Sequence, residues 1–181
     1  MLKEREQEII RQVQQGNTAL FSELVDHYKD PAFSLCVRIC GNRDDAADIC
    51  QESFIKAFRA LSNFRGEAGF ATWFYRIVYN SAISYLRIKK IKTIPLENFP
   101  DIEGCEDQEE DVTTRKLVRK IISELPEIDR SIVTLYYLLD HTISEISKIT
   151  GLTESNIKVR LHRCRIKMHE EISIHLHVQI A

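Results

Sequence analysis

The sequence predicts an all-α protein of two small helical domains that are joined by a flexible acidic linker. Apolar residues recur at the helical spacing of three and four residues through most of the chain, and Gly, Asn and Pro interrupt that spacing at intervals suited to helix ends. Residues 91–111 keep no apolar period and are rich in proline and acids. Charge supports the same division, because residues 91–115 hold 2 basic against 8 acidic side chains while both flanking segments are mildly basic.

The first domain, residues 1–90, is predicted to contain five helices. Gly16-Asn17 ends the first of them, and Gly41-Asn42 ends the third. Asp30 followed by Pro31 resembles an N-cap with proline at the first helical position, so a new helix is expected to open there. The predicted helices cover residues 3–15, 18–29, 31–40, 44–61 and 70–90.

The second domain, residues 112–171, is predicted to contain helices at 112–124, 126–139, 143–150 and 154–171. In the C-terminal tail, residues 172–181, apolar and polar residues alternate, which predicts a strand or an irregular tail. His175 and His177 could chelate a metal together with His169, but histidines on a tail are usually incidental. We therefore predict no metal site and no cofactor.

Composition excludes several classes of protein. A chain of 181 residues is too short for a large multidomain enzyme, and no apolar run approaches the roughly 18 to 20 residues of a membrane span. Its first residues include acids where a secretory signal is basic and then apolar, so a cytoplasmic protein is expected. Five cysteines without a CxxC spacing predict free, mostly buried thiols. The sequence contains no phosphate-binding glycine loop, no HExxH and no nucleophile elbow, so no catalytic motif indicates an enzyme.

Residues 143–168 fit a helix-turn-helix. Gly151 stands where the turn needs a positive φ, and Ser147 is small, as the close crossing of two helices requires. Ile146, Leu152 and Ile157 are expected to form the shared core, and the stripe continues through Leu161, Cys164 and Met168. Residues 154–168 also hold five Lys and Arg against one acid. A helix with an apolar stripe and cationic flanks suits the DNA major groove, although a cationic face alone is commonly only solvated.

Rings and cations are interleaved at residues 63–90. Residues 64–85 hold seven of the 15 aromatic residues, and residues 65–90 hold five basic side chains against one acid. Unpaired bases stack on rings while cations hold the backbone, so this pattern is typical of single-strand binding. A merely aromatic helical bundle remains the alternative, because Phe70 and Phe74 share a face with other apolar residues.

The helix at 44–61 carries a charged face. Its core stripe is predicted to be Ala47, Cys50, Phe54, Phe58 and Leu61. The opposite face collects Asp45, Asp48, Glu52, Lys56 and Arg59. This face is either an ordinary solvated surface or a docking site for a partner helix.

Two blocks of sequence resemble a known family. Residues 45–58, Phe64-Arg65-Gly66-Glu67 and the stretch 70–77 with Asn80 resemble sigma region 2. Leu125-Pro126, the segment 143–151 and the segment 157–165 resemble sigma region 4. Both blocks stand in order with no globular segment between them. Together they look like a bacterial RNA polymerase sigma factor of the extracytoplasmic-function (ECF) group.

The resemblance implies a role for each region. Core polymerase, at its β′ coiled coil, would meet a face made of Asp48, Gln51, Glu52 and Lys56. The −10 promoter element would be opened, and an extruded base held, by Asn63, Phe64, Arg65, Phe70, Trp73, Arg76 and Asn80. The −35 element would be read as duplex by Ser155, Asn156, Lys158, Arg160, His162 and Arg163. The β flap of the polymerase and an anti-sigma factor that blocks the two domains are the further partners implied.

The main hypothesis is thus a non-enzymatic specificity subunit that needs polymerase for chemistry. A free-standing helix-turn-helix regulator that binds duplex DNA without polymerase is the alternative, and it would dimerise on two half-sites about one helical turn apart. Family members usually carry small residues where Ser155-Asn156 stand, so the base preference here is open.

Overall fold

The computed structural model describes the backbone of residues 2–92 and 112–180, and the side chains of residues 2–89 and 117–173. Within these ranges all regular structure is helical, which confirms the all-α prediction. The predicted linker lies, apart from its first two residues, outside the described residues. The α-helices are α1 (Lys3–Gln14), α2 (Phe21–Cys40), α3 (Arg43–Ala60), α4 (Phe70–Lys92), α5 (Val112–Ser123), α6 (Glu127–Val133), α7 (Ile143–Thr150) and α8 (Glu154–Ile180).

Helix α2 runs without a break through Pro31, so the prediction of a helix start at Asp30-Pro31 is wrong. A proline inside a helix removes one backbone hydrogen bond and costs about 3 kcal/mol. Burial offsets that cost, because one apolar stripe continues across the proline from Leu24 and Tyr28 to Leu35 and beyond. The local signal of a cap was therefore overridden by packing along the whole helix.

Helix α3 buries only part of the predicted stripe: Cys50 and Leu61 are buried and Phe54 is half-buried. The buried residues are Ala46, Ile49, Cys50, Ser53 and Ala57, whereas Ala47 is exposed and Phe58 is 41% exposed. Small side chains at three of these positions allow α3 to lie close to α2 and α4. The large rings sit at the margins instead, where Phe54 packs on Phe74 with ring centroids 4.7 Å apart.

The second unit contains α5 to α8, with a π-helical turn at Thr134–Leu138 after α6. Helix α8 continues to Ile180, so the prediction of a strand or irregular tail after Glu171 is wrong. No Gly or Pro occurs between Glu154 and Ile180, and nothing in that stretch ends a helix. The alternating residues also include Ile172, Leu176 and Ile180, whose spacing of four is compatible with a helix.

The two helical units pack against each other rather than standing apart. Helix α7 lies along α4, and α6 lies along α2. Buried apolar side chains from both units belong to one contiguous cluster, in which Phe74 of α4 and Ile146 of α7 are both fully buried. The helices at residues 2–92 thus share their core with those that follow the linker.

Four cysteines lie in the described part of the chain, and all four are free. Cys36, Cys50 and Cys164 are buried and Cys40 is half-buried, as predicted for structural thiols. Cys105 and the tail histidines lie outside the residues whose side chains are described. Across 2–92 and 112–180, none of the helices is both long and apolar enough to cross a membrane.

Candidate nucleic-acid interface

The turn of the helix-turn-helix is built from local hydrogen bonds. Thr142 caps α7 through a reciprocal pair: its backbone N–H donates to Glu145 Oε2 over 2.8 Å, and the Glu145 N–H donates to Thr142 Oγ1 over 3.3 Å. Gly151 ends α7 with φ +76°, and its N–H donates to the Ser147 carbonyl over 2.9 Å. Ser147 Oγ in turn donates to the Leu152 carbonyl over 2.6 Å. The predicted positive φ at Gly151 is confirmed, and Ser147 bonds across the turn.

One face of α8 anchors the helix to its unit. Ile157 is fully buried, Leu161 and Cys164 are each 4% exposed, and Leu152 and Met168 pack at the edge of the same cluster. Because these anchors repeat every three or four residues, the remaining faces of α8 point away from the core. The residues of α8 that were predicted to read DNA are, apart from Arg160, all exposed: Ser155, Asn156, Lys158, His162 and Arg163.

Arg160 is held in place by two partners. Its Nε donates to Asn156 Oδ1 over 2.7 Å, and its Nη1 donates to Asp129 Oδ1 over 2.6 Å. The arginine side chain is 31% exposed and the aspartate 18%. Arg160 therefore ties α8 to α6, and part of its charge is already neutralised inside the protein.

Val159 is a surface residue that the sequence analysis missed. It is 49% exposed and lines a shallow concavity on α8 together with Ser155, Asn156, Arg160 and Arg163. An apolar side chain at such a place can contact the methyl group of thymine. Val159 lies four positions after Ser155 and four before Arg163, and this helical spacing is the signal that could have revealed it.

The ring-rich surface is built around the loop between α3 and α4. Phe64 packs on Trp73 with ring centroids 5.0 Å apart and on Phe70 with centroids 6.0 Å apart. Phe70 is only 3% exposed, whereas Phe64 and Trp73 are partly exposed. The structure therefore places Phe70 as the floor of the cluster, under the two rings that solvent reaches.

The polar residues predicted for this surface are exposed on the same loop and the same helix as those rings. Asn63 and Arg65 are exposed in the loop, and Arg76 and Asn80 are exposed on α4. Gly66 has φ +73°, a conformation that favours glycine and lets the loop turn back between Arg65 and Glu67. We call the ring pair Phe64 and Trp73 the aromatic step. Exposed cations and amide groups accompany it on the loop and on α4.

Gln14 is a second residue that the sequence analysis missed. Its Nε2 donates to the Leu61 carbonyl and to the Phe64 carbonyl, each over 2.9 Å. These bonds attach the loop to α1 at the point where the loop leaves α3. No spacing signal marks Gln14, because its partners lie 47 and 50 residues further along the chain.

The charged face of α3 is exposed at all four predicted positions: Asp48, Gln51, Glu52 and Lys56. Lys56 Nζ lies 3.5 Å from Glu52 Oε1 and donates to Ser81 Oγ of α4 over 3.2 Å. Ile55 beside them is 38% exposed. A single exposed isoleucine is common on protein surfaces, so docking of a partner helix on this face stays a prediction.

Comparisons with known proteins agree with this arrangement. The family model Sigma-70 region 2 matches residues 24–90, and the model Sigma-70, region 4 matches residues 115–168. The ECF RNA polymerase sigma factor SigW of Bacillus subtilis is 30% identical over 185 residues, which cover 95% of this chain and 97% of the relative. The ECF RNA polymerase sigma-E factor of Escherichia coli is 33% identical over 173 residues, 88% of this chain and 90% of the relative.

Two solved structures share the fold. CnrH, in complex with the cytosolic domain of CnrY, has a TM-score of 0.67 at 18% identity and covers 92% of this chain and 96% of its own. The sigma factor RpoE of Bartonella quintana, in complex with the anti-sigma factor NepR, has a TM-score of 0.68 at 17% identity, over 85% of this chain and 97% of its own. The family is assigned from the sequence relatives, because they match nearly the whole chain at 30% identity or more. The chain belongs to the ECF group of RNA polymerase sigma factors.

Proposed function

We propose that this protein binds core RNA polymerase and directs promoter-specific initiation, with one surface reading intact DNA and another holding DNA that has been opened. The observation that carries the proposal is the pairing of two unlike surfaces in one chain. Helix α8 exposes cations beside a buried anchoring stripe, while the α3–α4 loop exposes rings beside arginines. Duplex and unpaired strands require these different chemistries.

Helix α8 is the reading helix for the −35 element. Ser155, Asn156 and Val159 lie at its exposed N-terminal end, where such helices meet base edges. Lys158, His162 and Arg163 supply donors to bases or phosphates further along. Arg160 acts more as a positioning group than as a free phosphate ligand, because Asp129 and Asn156 already hold it.

The loop and the start of α4 hold the −10 element. Trp73 and Phe64 offer the exposed rings on which an unpaired base stacks, and Phe70 supports them from below. Asn63 and Arg65 approach from the loop side, and Arg76 and Asn80 from α4. Stacking contributes about 1–3 kcal/mol per base, which is enough to offset the cost of unstacking one base from the duplex.

The exposed face of α3 with Asp48, Gln51, Glu52 and Lys56 docks on the polymerase β′ coiled coil, and the second unit reaches the β flap. An anti-sigma factor is the expected inhibitor, since both solved relatives were crystallised with a binding protein, one of them named as an anti-sigma factor. The chain itself carries out no chemistry, works with polymerase in the cytoplasm and needs no cofactor. Polymerase supplies the catalysis.

The test is a pull-down with core polymerase followed by run-off transcription from fragments selected with the resulting holoenzyme. The proposal expects association with core enzyme and transcription from a defined start. Tight binding of a specific duplex by the free chain as a dimer, without association with core enzyme, would support a free-standing regulator and overturn the proposal. Replacing Glu52 by Lys should weaken association with core enzyme, whereas Glu8→Lys on α1, also a partly exposed glutamate paired with a cation, should not.

A further inference from the structure

Three side chains form a hydrogen-bonded network that reaches from α6 to the exposed start of the reading helix. Asp129, in the first turn of α6, accepts through Oδ1 from Arg160 Nη1 over 2.6 Å, and Arg160 Nε donates to Asn156 Oδ1 over 2.7 Å. The carboxylate is largely shielded from solvent, whereas Asn156 is exposed. The backbone N–H of Asn156 also donates to Thr153 Oγ1 over 3.3 Å, so this residue is held at both its backbone and its side chain. We call Asp129, Arg160 and Asn156 the Asn156 network.

The network determines which end of the Asn156 amide is free to meet DNA. An amide has an oxygen that accepts and a nitrogen that donates, whereas a guanidinium has donors only. The amide atom that lies 2.7 Å from Arg160 Nε must therefore be the oxygen. With the oxygen held by Arg160, the Nδ2 group and its N–H donors are the part of the amide that is left for a base.

Arg160 adds to this donor character. The guanidinium carries more N–H groups than the two that bond Asn156 and Asp129, so further donors lie beside the amide. Both Asn156 and Arg160 line the shallow concavity on α8. The positive charge next to Asn156 Oδ1 also opposes the approach of a second donor to that oxygen. Asn156 and Arg160 together thus present donors to a base edge.

The bases differ in how well they match such a surface. In the major groove guanine presents two acceptors, N7 and O6, whereas adenine presents the acceptor N7 beside the donor N6. An asparagine without restraint binds adenine through both ends of its amide, donating to N7 and accepting from N6. The network already occupies the oxygen that this contact needs. An Asn156 that only donates matches guanine, while adenine would place its N6 donor against other donors without an acceptor.

We propose that Asn156 determines base specificity within the −35 element, and that its network makes it select guanine over adenine. Asp129 and Arg160 are positioning residues, because they orient the amide of Asn156. The inference rests on the proposed reading of duplex DNA by α8, and it adds the base that one position of this helix selects. Since family members usually carry small residues where Ser155-Asn156 stand, this selection is a property of this chain.

The experiment measures the affinity of holoenzyme for promoter fragments in which each base pair of the −35 element is replaced in turn. The pair read by Asn156 is the one at which Asn156→Ala abolishes discrimination. At that pair the wild type should bind guanine roughly 5-fold or more tightly than adenine. A preference for adenine at that pair, or the absence of any pair at which discrimination depends on Asn156, would overturn the proposal.

Base analogues at the same pair test the acceptors directly. Inosine keeps N7 and O6 and differs from guanine only in the minor groove, so it should bind as guanine does. A guanine analogue with C–H in place of N7 lacks one acceptor and should bind less tightly. If inosine binds no better than adenine, the preference for guanine arises in the minor groove and not from Asn156.

Variants of the network test the orientation of the amide. Asn156→Asp keeps the bond from Arg160 but has acceptors only, so it should disfavour guanine relative to adenine. Arg160→Lys keeps the charge but lacks the planar group that joins both partners, so the ratio of guanine to adenine affinity should fall toward one. Arg165→Lys is the matched control, because this arginine of α8 bonds the Tyr137 hydroxyl instead, and its ratio should equal that of the wild type.

The ratio distinguishes orientation from stability. A variant that only weakens the fold lowers the affinity for all fragments alike and leaves the ratio between guanine and adenine unchanged. An unchanged ratio in Arg160→Lys would therefore show that the network does not orient Asn156, and a melting curve reports any loss of stability separately.

The same measurements separate this inference from the proposed function. A holoenzyme that selects a −35 element but reads no guanine through Asn156 would contradict the inference alone. A chain that never associates with core enzyme would contradict the proposed function, and the ratios would then be measured on the duplex that the free chain selects. Guanine selection through Asn156 on that duplex would still support the inference, and the absence of any selected duplex would contradict both.

Discussion

The two surfaces proposed to bind DNA are ordered in different ways. Helix α8 is held by a buried stripe, a capped turn before it and an ion pair between Arg160 and Asp129 at 2.6 Å. The α3–α4 loop is held by contacts among its own rings and by the two hydrogen bonds from Gln14. The first surface is a rigid cationic helix, and the second is an aromatic step on an irregular loop.

That difference matches the difference between the two proposed substrates. Duplex DNA has a regular groove, so a rigid helix with fixed side chains can read it without rearrangement. An unpaired base must be received wherever it leaves the stack, and rings accept any base because every base has a stacking face. Variants that remove one feature at a time should therefore affect one kind of DNA and spare the other.

The largest effect is expected at the aromatic step. Trp73→Ala should reduce open-complex formation by roughly 5- to 150-fold, since stacking of one base contributes about 1–3 kcal/mol. Permanganate reactivity of unpaired thymines measures it. Trp73→Phe keeps a ring on Phe64 and should lose much less, and a melting curve excludes damage to the fold. Undiminished opening by Trp73→Ala would remove Trp73 from the site.

The next effect is expected on the reading helix. Lys158→Ala should weaken binding to the −35 element by about 1 kcal/mol. If Lys158 neutralises one phosphate, the slope of log affinity against log salt concentration should also become shallower by about 0.9. Lys120→Ala removes the same charge from an exposed site on α5 and is the control. Equal losses in the two variants would mean that only overall charge matters.

A smaller effect is expected at the attachment of the loop. Gln14→Ala removes two hydrogen bonds, each of which contributes about 0.5–1.5 kcal/mol, so opening of the −10 element should fall several-fold while duplex binding is retained. Gln12→Ala on the same helix is the control, because the Gln12 side chain bonds to Glu8 and to Asn17 and not to the α3–α4 loop. Parallel losses in opening and in −35 binding would argue that Gln14 stabilises the whole domain instead.

The smallest effect is expected at the ion pair. Asp129→Asn should change −35 affinity by less than about 1 kcal/mol, because a partly exposed pair contributes little. The substitution releases Arg160, so the slope of log affinity against log salt concentration should become steeper by up to about 0.9. Filter binding across a salt series measures both quantities, and a shallower slope would show that Arg160 needs Asp129 to meet DNA.

Local patterns predicted from the sequence were confirmed wherever neighbouring residues decide the structure. Gly151, Ser147 and Ile157 lie within ten residues of one another, and their spacing defines the turn. Two predictions were wrong because contacts between distant residues decide the structure. Pro31 continues a helix because eight buried residues of the 20-residue helix α2 lie on both sides of it, and Phe58 is exposed because small neighbours bring α3 close to α2 and α4.

The contacts that the sequence analysis missed join residues far apart in the chain. Thr72 and Glu145 are separated by 73 residues. Gln14 is separated by 47 and 50 residues from Leu61 and Phe64, whose carbonyls it binds. Neither pair leaves a periodic signal in the sequence. The positions of the exposed cations and rings could be predicted, but which of them are held by partners, as Arg160 is, depends on the tertiary structure.

The division of labour between the two surfaces is tested most directly by holoenzyme affinity for a promoter fragment that lacks the −35 element and has a −10 element already unpaired. On this fragment Trp73→Ala should lose affinity by the same factor as on the complete promoter, while Lys158→Ala should bind as wild type does. If Lys158→Ala loses as much affinity as Trp73→Ala on that fragment, the two surfaces do not read separate parts of the promoter, and the account is wrong.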